Sequence, residues 1–143
     1  MTNALWPLWH RGGRLEELDP TECRSLLTAT SVGRVGYQTD RGPRIVPVNF
    51  TLVGESILIR TAPDTELARL GPQQTVAFEI DHADEFWQTG WSVLAVGELT
   101  EVSADSLRML APNQTPDPWA EGPRSVFLQL GISELTGRRV HPA

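Results

Sequence analysis

The sequence predicts a mainly β fold with a minor helical part (α+β): an antiparallel barrel of six strands with two or three short helices. Three observations predict it. β-Branched or alternating segments recur from Val32 to Val140. Most of the connections between them carry hairpin turn chemistry, which joins antiparallel neighbours. The helical patterns are few and short. A chain of 143 residues that is 40% hydrophobic and 21% charged is one globular domain, without internal repeats.

Residues 1–14 read as an N-terminal arm, with Trp6 and Trp9 around Pro7 and then Gly12-Gly13. Two tryptophans on such an arm are expected to pack on the body or on a partner subunit. Residues 15–143 form the domain. Asp19 is a natural N-cap, Pro20 suits the first helical position, and Glu22 stands three after the cap. Leu18, Cys23, Leu26 and Leu27 give that helix an apolar stripe. SVGRVGYQ and RIVPVNFTL then read as strands, with TDRGP between them as the hairpin turn. Gly54-Glu55 turns the chain into SILIRT. A helical turn, PDTELARL, ends at Gly71-Pro72. QTVAFEI reads as a strand, DHADEFWQTG as a loop, and WSVLAVGELTEV as a long strand. Ser103 caps a further helical turn, ADSLRML. The proline-rich stretch APNQTPDPWAEGP is a loop, and RSVFLQLGISELTGRRV is a strand bent near Gly131.

Charge excludes several functions. All 12 cationic side chains are arginine, and the chain contains no lysine. Schiff-base chemistry, a pyridoxal-phosphate aldimine and a P-loop each need a lysine amine and are ruled out. The net charge of −6 makes the chain a poor general binder of nucleic acid or anionic membrane. With Cys23 as its single cysteine the chain forms no internal disulfide, so a reducing, cytoplasmic setting is expected. Neither a membrane span nor a signal peptide is expected.

Four groups of residues carry candidate chemistry. Strand ILIRT ends in Arg60-Thr61 and runs into a short helix, with Arg44 on the neighbouring strand. A guanidinium, a hydroxyl and free helical N–H groups make an anion cradle. An ordinary hairpin with surface arginines accounts for the same residues. Glu79, Asp81, His82, Asp84 and Glu85 could ligate a cation, but they lack the spacing of a calcium loop or zinc dyad, and a solvated acidic loop explains them better. No serine sits in a G-x-S-x-G elbow, and Cys23 belongs to the core side of its helix. Trp91-Ser92, at the mouth of the long strand, offers an aromatic plane beside a hydroxyl, which suits a planar heterocycle as well as plain packing. Pro47 interrupts an apolar strand, where it would break a ladder bond unless the strand faces something other than a strand.

Six segments in order, VGRVGY, RIVPVNF, ILIRTA, VAFEIDHAD, TGWSVLAVGE and ELTGRRV, resemble the pyridoxamine 5′-phosphate oxidase-like, FMN-binding split β-barrel family over about Leu18 to Val140. The resemblance is closest to its small actinobacterial-type members. It implies a six-stranded split barrel, a homodimer, and two FMN sites at the subunit interface. It further implies that Arg44, Val46, Pro47, Val48 and Asn49 run along the flavin, that Arg60 and Thr61 meet its phosphate end, and that Trp91 and Ser92 approach its edge from the partner subunit. Relatives often carry a lysine where this chain has Glu66, pairing with the phosphate. Pyridoxamine-phosphate oxidases themselves carry a substrate-contacting lysine at Asn49. They also have an Arg-x-His pair that Arg139 and His141 imitate. The implied function is therefore a flavin-dependent oxidoreductase acting on a small molecule other than pyridoxamine phosphate. A flavin-binding module without turnover and a deazaflavin-dependent reductase are the alternatives. The residues name no evident catalytic acid or base.

Overall fold

Asp19 opens the first helix as its side chain dictates: Asp19 Oδ1 accepts from the Glu22 N–H at 2.8 Å. The computed structural model describes residues 13–143, so Trp6 and Trp9 of the expected arm lie outside the described residues. Helix α1 spans Pro20–Thr28 and turns Cys23 and Leu27, both 0% exposed, into the core. Burial pushes the Cys23 thiol pKa up, with Asp19 and Glu22 adding to the effect. The thiol stays protonated and acts as packing.

The described residues form seven strands: β1 Leu15–Leu18, β2 Val32–Thr39, β3 Gly42–Val53, β4 Ser56–Thr61, β5 Thr75–Asp84, β6 Thr89–Glu101 and β7 Val126–Val140. Two five-residue helices, α2 Glu66–Leu70 and α3 Ala104–Arg108, begin with Thr65 and Ser103 as caps. All strand pairings are antiparallel, in the order β1-β7-β4-β3-β2-β5-β6, and β6 also pairs with β7. That last pairing closes β2 to β7 into a six-stranded ring, the split β-barrel expected from the sequence. β7 makes closure possible because its 15 residues meet β4 with one half, β1 with the other, and β6 along its length.

The ring is filled by side chains that alternate inward along each strand. Val76, Phe78 and Ile80 of β5 point in, and Phe78 meets Phe50 of β3 edge-to-face with centroids 4.7 Å apart. Ile57, Ile59, Leu99, Leu128 and Leu130 complete the core.

Two local expectations differ from the structure. The segment DHADEFWQTG is a hairpin end rather than a loop: Asp81–Asp84 continue β5, Thr89–Gly90 begin β6, and only the four residues between them turn. Asp81, His82 and Ala83 are all exposed in succession, so the inward-outward alternation that marks a strand disappears there. Leu15–Leu18, read only as the start of the domain, forms the short strand β1. Its four residues pair with Gly137–Val140, an edge that exists only after the barrel has formed.

The bend expected near Gly131 is a bulge. Ile132 pairs with Gly97, but Glu134 pairs with Val96, so Ser133 is the extra residue, and its hydroxyl donates to the Val96 carbonyl at 2.9 Å. A methyl on Gly97 would lie 1.8 Å from the Gly131 carbonyl oxygen, whereas one on Gly131 would meet nothing within 4 Å. Gly97→Ala is therefore expected to cost about 1–3 kcal/mol or more by overpacking. Thermal unfolding should show a drop of roughly 2–4 °C for each kcal/mol lost. Gly131→Ala in the same assay should stay close to wild type; equal melting of the two variants would refute the bulge geometry.

Candidate functional site at the split of the barrel

β3 has 12 residues and its neighbour β4 has six. Their register runs from Val53↔Ser56 to Asn49↔Arg60 and stops. On its other side β3 stays paired with β2 from Asn49 to Gly42. The stretch from Gly42 to Val48 thus has one edge without a strand partner among the described residues. Pro47 lies in that stretch, where a missing N–H is tolerated.

A cavity of about 540 Å³ opens beside this edge. Val46, Pro47, Val48 and Asn49 form one wall, and Arg60 and Thr61 at the end of β4 form the next. Thr65, Glu66 and Leu67, where α2 begins, form a third, with Tyr37 of β2 behind them. Ala120 and Arg124 close the cavity from the proline-rich loop. Arg44 pairs with Tyr37 across the strands, and its charge acts on the phenol. Trp91 and Ser92 lie elsewhere. With His82 and Arg138 they line a separate depression whose lining shares no residue with this cavity.

The polar groups of the site are mostly engaged with one another. Arg60 Nε donates to the Arg124 carbonyl at 2.8 Å and Nη1 to the Pro116 carbonyl at 3.3 Å, while its guanidinium stands 5.2 Å from the centre of the Phe127 ring. Asn49 Oδ1 accepts from the Trp119 N–H at 3.1 Å, and the Thr51 hydroxyl donates to the Gln114 carbonyl. Three side chains from β3 and β4 thereby strap the loop across the mouth of the cavity. The Thr61 and Thr65 hydroxyls lie 3.1 Å apart, and Thr65 also caps α2 by accepting from the Ala68 N–H. The sequence-predicted anion cradle is present as a place, but its arginine and its cap hydroxyl are bonded within the protein.

Tyr37, Thr65, Leu67, Ala120 and Arg124 are lining residues that the sequence did not single out. Tyr37 is the most informative. It is 4% exposed, and its hydroxyl donates to Glu66 Oε1 at 2.7 Å. Burial first, then this hydrogen bond and the carboxylate charge, push its pKa up to about 12, against the opposing pull of Arg44 and Arg69. Arg139 and His141 do not reach the cavity lining; they pair with Glu22 and Glu16.

Residues 19–139 match the family model described as pyridoxamine 5′-phosphate oxidase. The chain belongs to this pyridoxamine 5′-phosphate oxidase family. A further relative is the uncharacterized protein Rv0080 of Mycobacterium tuberculosis, 30% identical over 129 residues that make up 87% of this chain and 84% of that one. Among solved structures, an FAD-binding protein of Mycobacterium smegmatis is 26% identical, with a TM-score of 0.69 over 90% of this chain and 100% of that one. A conserved protein of unknown function from Corynebacterium diphtheriae is 28% identical, with a TM-score of 0.72 over 89% and 98%. An FAD-binding protein of Mesorhizobium loti, 24% identical with a TM-score of 0.72 over 91% and 99%, shares the fold. Among the described residues of this family member, no helix is long and apolar enough to cross a membrane, and no three His, Cys, Asp or Glu side chains converge as metal ligands.

Two measurements check the site. Tyr37 is the chain's single tyrosine, so phenolate absorbance reads it alone. Its midpoint should lie about 12 in the folded protein and near 10 once unfolded. Because the folded value is the higher one, its contribution to stability is complete below pH 10 and disappears as pH rises toward 12. Arg60→Ala should release the loop by about 1.5–3 kcal/mol, the weight of hydrogen bonds to a charged group. Amide hydrogen exchange across residues 116–125 would then accelerate while β5 and β6 stay protected; unchanged exchange in the loop would show that Arg60 does not hold it.

Proposed function

We propose that this chain binds a flavin nucleotide, FMN in the first instance, at the split of the barrel. In this reading it is a cytoplasmic homodimer that uses the flavin as an oxidoreductase on a small molecule. The observation that carries the reading is the convergence of an open strand edge, an apolar wall and arginines on one cavity in a member of this family. Its volume of about 540 Å³ falls within the range of about 300–1,000 Å³ typical of small-molecule sites. The FAD-binding relative from M. smegmatis supports a flavin, and makes FAD the alternative nucleotide to FMN. A deazaflavin would be a third cofactor of similar shape.

The residues fit such a ligand. Unpaired N–H and C=O groups on the free edge of β3 can hydrogen-bond the polar rim of a planar heterocycle. Val46, Val48 and Leu67 exclude water from its face, and Arg60 and Arg124 give the cavity positive charge. Tyr37 keeps its proton throughout the neutral range and holds Glu66 by donating to it. Trp91 and Ser92, remote from this cavity within one protomer, would complete it from the partner subunit, which is why the reading requires a dimer. A bound flavin would supply the hydride and electron transfer itself; the chain binds, orients and desolvates it.

A second reading, a carrier that holds flavin without turnover, is favoured by the lining. Among the described residues it contains neither histidine nor cysteine, and its one tyrosine stays protonated. The purified protein should be yellow, release FMN or FAD on denaturation, and run as a dimer by size exclusion with light scattering. A colourless protein without a thermal shift in excess FMN or FAD would remove the flavin reading, and a monomer would remove the interface site. Stopped-flow reduction by NADH or NADPH separates the enzyme from the carrier.

A further inference from the structure

The arginines of this acidic chain divide into two sets. Arg14, Arg24, Arg34, Arg108 and Arg139 each stand within ion-pair distance of a carboxylate. Arg60 and Arg124 line the cavity, Arg44 and Arg69 act on the phenol of Tyr37, and none of these four has a carboxylate at that distance among the described residues. Arg41, at a hairpin turn, and Arg138, at the Trp91 depression, are the other described arginines without such a partner. A chain of net charge −6 has carboxylates to spare, so two arginines without a carboxylate partner in the lining of one cavity, Arg60 and Arg124, mark the place where an anion is received.

Within that set the roles differ. Arg60 is bound through Nε and Nη1 to two carbonyls of the proline-rich loop, one of them the carbonyl of Arg124. The side chain of Arg124 has neither a hydrogen-bond nor an ion-pair partner among the described residues, and it lines the cavity. One guanidinium therefore fixes the backbone from which the other projects. Anchoring that backbone removes the main-chain part of the ordering cost when the side chain pairs, and guanidinium matches the oxygens of a phosphate with two parallel hydrogen bonds. The start of α2 is a poorer place for the anion. Its Thr65 hydroxyl is used as a cap, and Glu66 holds a carboxylate there.

We infer that Arg124 receives the anionic group of the ligand, a phosphate or diphosphate, and that Arg60 is the positioning residue that aims it. The identity of the ligand rests on the flavin-nucleotide reading; the anion site does not. This places the charged end of the ligand under the proline-rich loop rather than at the start of α2, where Glu66 holds its carboxylate.

The test compares FMN, riboflavin and inorganic pyrophosphate on the full chain. Riboflavin has the ring and ribityl chain of FMN without its phosphate. Arg124→Gln should weaken FMN binding by about 10- to 100-fold, as expected for charged hydrogen bonds, and leave riboflavin binding unchanged. Pyrophosphate should raise the melting temperature of the wild type and not that of Arg124→Gln. Arg124→Lys keeps the charge and should recover part of the FMN affinity, which also guards against a variant that fails to fold. Equal loss of FMN and riboflavin would overturn the inference, as would a pyrophosphate shift that persists in Arg124→Gln or is lost in Arg69→Gln instead. A wild type that binds no flavin but responds to pyrophosphate through Arg124 upholds the anion site and removes the flavin reading. A wild type that responds to none of the three removes both.

Discussion

β3 outruns β4, and the site follows from that mismatch. A strand edge left bare inside a closed barrel exposes a row of amide and carbonyl groups that must be satisfied by something. Beyond Asn49 no strand among the described residues covers that edge, and at that point the chain places a proline, a helical turn and a strapped loop around a cavity instead. The apolar wall, the arginines and the loop all take their positions from the place where the β3–β4 ladder ends. Asn49 and Arg60, the last pair of that ladder, are also two of the side chains that hold the loop.

The absence of lysine acquires a structural meaning here. Arginine's planar fork can hold two carbonyls in fixed directions, and Arg60 does so. A lysine at the same position would present a point charge on a flexible stem and would hold the loop less firmly. The Arg124 side chain is left without a partner on a backbone that Arg60 anchors, while the carboxylate of Glu66 in the same lining is held by Tyr37 and not by a cation. The electrostatics of the site are thus a division of labour among arginines rather than a simple excess of positive charge.

What the sequence made legible was what is local. Asp19, Thr65 and Ser103 satisfy helix N-termini from within their own turn, and the hairpin turns join strands that are neighbours in the chain. Helix α1, the β2–β3 hairpin and the bend near Gly131 could be read for that reason. Arg60-Thr61 and Pro47 were read from the residues themselves, Val46, Val48, Asn49 and Glu66 through family resemblance, and the structure brings them together. Tyr37 and Arg124 were not legible, because they meet their partners across 29 and 64 residues, respectively. Nothing in the loop marks Arg124; only the pairing of Thr61 with Val126, two residues further on, brings it to the cavity. Strand β1 was missed for a related reason, since its partner edge is created by the tertiary fold, and Asp81–Asp84 because the exposure of successive residues erases the alternating pattern.

β7 touches β1, β4 and β6, and it follows all of them in the chain. During synthesis the ring therefore stays open after most of its strands have been made, with β4 and β6 both presenting free edges. Such edges are templates for pairing with other chains. Until β7 arrives, the nascent protein carries its greatest risk of aggregation on the two strands it will bridge. The loop that bears Arg124 immediately precedes β7, so closure of the ring and assembly of the cavity roof are a single late event in biogenesis.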